Sequence, residues 1–247
     1  MSFEPRVLGT TGLRVGALGI GASYGVPASA VERAFEQGVN YLYWGSVRRG
    51  GMAQALRNLA SRRDGIVLVM QSFSRVASLI EGSVERGLRR IGYEYADVLL
   101  LGLWNRPAPR RIVEAARRLR ERGLVRYLAI SSHHRPLVPK FAASGDFDIL
   151  HFRYNAAHPG AESDIFPHFA ANRPGTVAYT ATNWGRLLRS KATAADCYRF
   201  VLARPEVDVC LTGPANAAQM EEALRALTLG PMTRDELDWM RGIGRSS

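Results

Sequence analysis

The sequence predicts an α/β protein of the (β/α)8, or TIM barrel, class, and three observations predict it. Short apolar runs of four to five residues alternate eight times with longer amphipathic stretches, as in successive βα units. The length of 247 residues and the hydrophobic content of 47% suit one barrel around one sizeable core. The turn after the first run, GIGASYG, lacks the GxGxxG spacing that an open doubly wound sheet usually carries there, which favours a closed sheet.

In chain order, RVLG and LRVGAL flank the turn Thr10, Thr11, Gly12 and predict an N-terminal β-hairpin capping the barrel bottom. Strands are expected at 17–21, 40–43, 66–70, 97–101, 127–131, 149–152, 176–179 and 207–211. Helices are expected at 28–37, 51–62, 77–91, 109–122, 136–144, 164–172, 194–204 and 216–227. Gly38, Gly92, Gly123 and Gly145 stand where a left-handed cap would end four of these helices. Thr233 with Glu236 three residues on is a capping-box pattern opening a last short helix up to Arg241. No linker, fixed-length repeat or low-complexity tract interrupts the alternation, so 1–247 is expected to be a single domain.

No window approaches the ~18 uninterrupted apolar residues of a membrane span. The N-terminus, MSFEPRVLG, shows no leader pattern, so the chain reads as cytoplasmic with no membrane partner. Cys197 and Cys210 fall in an apolar helix and an apolar strand without CxxC spacing and read as core filler. The net charge of +11 is almost all arginine, Lys140 and Lys191 being the only lysines. The arginines are spread over helices, as in PRRIVEAARRLRERG, and are not interleaved with aromatics in one patch, so nucleic acid is not an expected partner. Nothing in the sequence sets an oligomeric state.

In a barrel the functional groups sit at the C-terminal ends of the strands and in the loops that follow. Arginine recurs there at Arg48, Arg49, Arg75, Arg106, Arg135, Arg153 and Arg186, which would favour an anionic small molecule. Arg63, Arg122 and Arg173 in the bottom loops make that excess modest. Four of the five histidines fall on the tops of strands five and six, and His151 is the best single acid-base candidate. A metal centre from His133, His134, His151 and Glu162 is disfavoured, because adjacent histidines point to opposite faces of a strand.

Nearly the whole chain resembles the aldo-keto reductases. RVLGTTGLRVGALGIG is similar to their hairpin and first strand, GLVRYLAISS to the fifth, and RYNAAHPGAE to the sixth; AYTATNWGRLL resembles the seventh, and VDVCLTGPANAAQMEEAL the eighth with its helix. The resemblance implies reduction of carbonyls with a nicotinamide cofactor, NADP or NAD, through a tetrad of tyrosine, lysine, aspartate and histidine. Here Tyr43 stands at the aspartate position, Arg48 at the tyrosine, Gln71 or Ser72 at the lysine and Gly102 at the histidine. The expected catalytic set is therefore Tyr43, Arg48 and His151, with Arg48 replacing the lysine as the cation beside a phenol.

For the cofactor, the resemblance implies Tyr179 against the nicotinamide and Ser131, beside Ser132, at its carboxamide. Thr180, Ala181 and Thr182 fall at the pyrophosphate, and Gly213, Pro214, Asn216, Gln219 and Glu222 at the adenosine half. Ala215 stands where an arginine usually grips a 2′-phosphate, and Arg186, Arg189 and Lys191 are the substitutes considered. Three functions follow: an oxidoreductase with a rewired acid acting on a small carbonyl compound, a lyase, isomerase or cyclase reusing the barrel mouth, and a non-catalytic binding or regulatory protein.

Overall fold

The computed structural model describes residues 3–45, 47–72 and 74–247. Two short antiparallel strands, β1 (Arg6–Val7) and β2 (Arg14–Val15), form the hairpin. Eight parallel strands then close into a barrel: β3 (Leu18–Gly21), β4 (Tyr41–Trp44), β5 (Val67–Gln71), β6 (Ala96–Leu103), β7 (Val125–Ser132), β8 (Ile149–Arg153), β9 (Gly175–Tyr179) and β10 (Val209–Thr212), with β10 pairing back to β3. The helices around it are α1 (Ala28–Glu36), α2 (Gly50–Asn58), α3 (Ala77–Ile91), α4 (Arg110–Glu121), α5 (Val138–Ser144), α6 (Ala161–Asp164), α7 (Ala194–Leu202) and α8 (Ala217–Leu229). A last helix, α9 (Arg234–Arg245), opens on the Thr233–Glu236 capping box.

The two-residue period of the strands divides the core. Leu42, Leu68, Leu99, Leu128 and Leu150 face outward into the large cluster shared with the helices. Tyr41, Val67, Val69, Val98, Ala129, Ile149, Val177 and Val209 point inward, and Leu8 and Val15 of the hairpin complete that inner cluster. The hairpin therefore plugs the barrel bottom, as the sequence predicts.

Aspartates at the bottom tie strand starts together and absorb arginines. Asp97 accepts from Leu68 N at 2.9 Å, Asp148 from Leu128 N at 2.8 Å and Asp208 from Thr176 N at 2.9 Å. Arg63 and Arg126 pair with Asp97, Arg120 with Asp148 and Arg173 with Asp208.

Three elements differ from the sequence reading by more than two residues; the last helix, expected up to Arg241, runs to Arg245. The sixth helix, expected at 164–172, is the four-residue α6 followed by a 3-10 turn at Phe166–His168. Pro167 has no N–H to continue an α-helical ladder, which ends it. The second helix, expected to reach residue 62, stops at Asn58, and a 3-10 segment at Ala60–Gly65 contains the non-helical Arg62.

Candidate functional site

A cavity of about 860 Å³ opens at the C-terminal ends of the strands. Tyr43 and Gln71 from β4 and β5, Ser131 from β7, His151 from β8 and Tyr179 from β9 converge at its base. The loop after β9 and the segment from β10 into α8 form its long side.

At the base, Tyr41 and Tyr43 both point inward, two residues apart on β4. Tyr41 is fully buried, and its hydroxyl lies 2.8 Å from His151 Nε2. Burial alone pushes the His151 imidazole down to about 3. It is therefore neutral at physiological pH and a weak base, which argues against the acid-base role the sequence suggested. Burial, reinforced by Tyr24 and Tyr179, holds the Tyr43 phenol well above its ordinary value, so it keeps its proton. Beside it, Gln71 Oε1 is buried without a hydrogen-bond partner.

Arg48 lies apart from this group. It is exposed, has φ 47° and does not line the cavity. Among the described contacts nothing joins it to Tyr43; the neighbouring Arg49 instead covers the Trp44 ring at 4.3 Å and donates to Gly45 O.

On β6 the register with β7 shifts between Leu100 and Leu103, and Gly102 within the shift has φ +79°. That left-handed geometry suits glycine, and Gly102 opens the cavity wall between Leu100 and Leu103.

Nine of the eleven expected cofactor residues line the cavity: Ser131, Tyr179, Thr180, Ala181, Thr182, Gly213, Pro214, Gln219 and Glu222. Ser131 Oγ donates to Tyr179 OH at 3.1 Å, Tyr179 OH donates to Ser132 O at 3.2 Å, and the His133 ring packs 5.5 Å from the Tyr179 ring. After β9 the chain turns through residues with positive φ at Thr180 (57°), Asn183 (49°) and Trp184 (53°). Asn155 Nδ2 anchors the turn on Thr180 O at 2.7 Å. The amides of Asn183, Gly185 and Arg186 bond within the turn, and none of those bonds uses the amides of Ala181 or Thr182. Runs of mixed-handed backbone of this kind can present amides to an anion.

Ser132 and Asn216 do not line the cavity. The Ser132 hydroxyl is held by Asn105 and His134, and Asn216 Oδ1 caps α8 by accepting from Gln219 N at 2.9 Å. A Cβ at Gly213 would lie 2.6 Å from the ring of Tyr24, which forms that wall of the cavity and would have to shift.

The sequence reading missed Tyr24, Trp184, Leu188 and Tyr198, all in the lining, and Tyr41 beneath His151. The Tyr-x-Tyr spacing on β4 was the available signal for Tyr41. Among the described residues the top-loop arginines do not line the cavity. Arg75 stacks on Trp104 at 3.6 Å, Arg135 pairs with Asp164, and among the described residues no arginine or lysine lines the cavity. Arg153 acts at a distance, adding to burial in lowering the His133 pKa.

The sequence profile of the aldo/keto reductase family matches residues 23–197, and the chain belongs to that family. It is similar to L-galactose dehydrogenase of Arabidopsis thaliana, at 24% identity over 282 residues covering 92% of this chain and 88% of that protein. Among solved structures, it resembles the holo form of aldo-keto reductase AKR11C1 from Bacillus halodurans, with TM-score 0.80 and 20% identity over 99% of this chain and 97% of that one. It also resembles an aldo/keto reductase from Klebsiella pneumoniae in complex with NADP and acetate, with TM-score 0.78 and 19% identity over 96% and 94%.

The lining fits a nicotinamide dinucleotide. Gln71 Oε1 and Glu222 Oε1 are buried without a partner, and a donor on a bound molecule would satisfy them. Among the described residues no helix is long and apolar enough to cross a membrane, and no histidine, cysteine and carboxylate cluster could hold a metal.

Proposed function

We propose that this protein is a nicotinamide-linked oxidoreductase of a small carbonyl compound, with a rewired acid site in which Tyr43 gives the proton. The observation that carries the reading is the convergence of nine expected cofactor residues with Tyr43 on one cavity at the barrel mouth. When bound, the nicotinamide supplies or takes the hydride. Ser131, Tyr179 and the amides of Ala181 and Thr182 would hold the dinucleotide. Tyr43 is protonated throughout the neutral range, and although burial makes it a weaker acid, it can still donate to the carbonyl oxygen as that oxygen becomes an alkoxide, a stronger base than the phenolate left behind. Gln71 Oε1 accepts from the hydroxyl of the alcohol form. Neutral His151, braced by Tyr41, shapes the floor without taking the proton. Its low basicity also weighs against a lyase or isomerase built on it.

The test is a titration with oxidised and reduced NAD and NADP, followed through quenching of tryptophan fluorescence, to which the cavity residue Trp184 contributes. Micromolar binding of at least one form is expected. With a carbonyl substrate found by screening, Tyr43→Phe should lower kcat about 100-fold or more with little change in cofactor binding. Absence of binding at millimolar concentration, or full turnover by Tyr43→Phe, overturns the corresponding half of the proposal.

A further inference from the structure

We infer that Tyr41 fixes His151 in the neutral form protonated on Nδ1, leaving one N–H donor at the cavity floor for the carbonyl oxygen of an uncharged ligand. The choice of a carbonyl rests on the oxidoreductase reading above. Tyr41 is fully buried, and the one hydrogen bond of its hydroxyl among the described residues is to His151 Nε2, at 2.8 Å. Its buried neighbours in the inner cluster, Val67, Val69, Val98, Ala129, Ile149 and Val177, are aliphatic and offer the phenol no side-chain acceptor. Were Nε2–H instead to donate to the phenol oxygen, the phenol proton would be buried without a partner. Nε2 is therefore the acceptor, and the proton of the neutral ring stands on Nδ1.

Nδ1 itself makes no hydrogen bond among the described residues. The imidazole lines the cavity, so the acceptor it lacks is one that a bound molecule can bring. Burial keeps the ring neutral, which makes this donor a dipole and not a cation. Among the described residues no arginine or lysine lines the cavity, and the one carboxylate that does, Glu222, is of the wrong sign to hold an anion. A carboxylate ligand would lose its water with no countercharge in return, whereas a carbonyl oxygen asks only for a hydrogen bond. A neutral imidazole suits that task, because it polarises the carbonyl without surrendering its proton.

The experiment is heteronuclear NMR of the intact protein with isotopically labelled histidine nitrogens at neutral pH, with acetophenone as the carbonyl probe and benzoate as its anionic counterpart. His151→Gln identifies the His151 signals by deleting them. They are expected to show Nδ1 protonated and Nε2 bare. Tyr41→Phe, which removes only the hydroxyl, should move the proton toward Nε2, an effect that loss of packing alone would not produce. Acetophenone should shift the Nδ1 resonance saturably and bind about tenfold more weakly to Tyr41→Phe, while benzoate leaves the resonance in place. A proton on Nε2 in the unaltered protein overturns the inference, and this decides even if Tyr41→Phe fails to fold. An Nδ1 signal indifferent to acetophenone, or moved equally by benzoate, overturns it too. Response of Nδ1 to acetophenone in a protein that binds no dinucleotide overturns the oxidoreductase reading and leaves the inference standing; dinucleotide binding with the proton on Nε2 does the reverse.

Discussion

Replacing His151 by glutamine isolates the cost of burying an imidazole at the barrel centre. The depression from 6.5 to about 3 comes from burial, so the folded protein excludes the proton that the unfolded chain binds below its ordinary value. Between those limits the unfolded state carries more protons, so stability rises with pH and is lost as pH falls. The full shift corresponds to about 5 kcal/mol, and the part lost between pH 7 and pH 5 is about 2 kcal/mol. Glutamine keeps a polar group able to accept from Tyr41 and has no charge to gain.

Urea unfolding at both pH values gives the assay, because the other titrating groups contribute equally to the two proteins and cancel in the comparison. The unaltered protein should lose about 2 kcal/mol more than His151→Gln on going from pH 7 to pH 5. Equal losses would show that the folded site accepts the proton freely, and would return His151 to the list of acid-base catalysts.

Three further substitutions test the frame around the site. Asp208→Ala removes the carboxylate that accepts from Arg173 at 2.7 and 2.8 Å and from the amides of Gly9 and Thr176; a loss of about 3 to 5 kcal/mol in urea unfolding is expected. Thr233→Ala breaks the α9 capping box and should cost about 1 kcal/mol, read as a lowered urea midpoint with unchanged slope. Gly102→His places a side chain at φ +79° and should destabilise the fold by about 1 to 3 kcal/mol without raising turnover, measured by unfolding and by an initial-rate assay.

Strand and helix order were legible because each βα unit writes its own period, and α3 falls at 77–91 as the spacing predicts. The sixth helix was misread because apolar spacing continues through Pro167 while the hydrogen-bond ladder cannot. The cofactor side of the site was legible for a related reason: its residues lie on strand ends and the turns directly following, where backbone geometry fixes their direction. The acid side was less so. The position of Arg48 depends on how the loop after β4 leaves the barrel, and adjacency in sequence to Tyr43 does not fix it. The partner of His151 lies 110 residues away on Tyr41, a pairing that only closure of the barrel creates.

The arginine excess shows how topology separates composition from local chemistry. Arg63, Arg120, Arg126 and Arg173 are consumed by strand-starting aspartates at the barrel bottom, and among the described residues none of the 31 arginines lines the cavity. A field of +11 still acts on any approaching anion at a distance. Association of NADH and of NADPH should therefore be similarly fast at low salt and slower with added salt, because steering senses net charge. Stopped-flow fluorescence resolves the rate, and an association rate indifferent to salt would refute steering by the field of the protein as a whole.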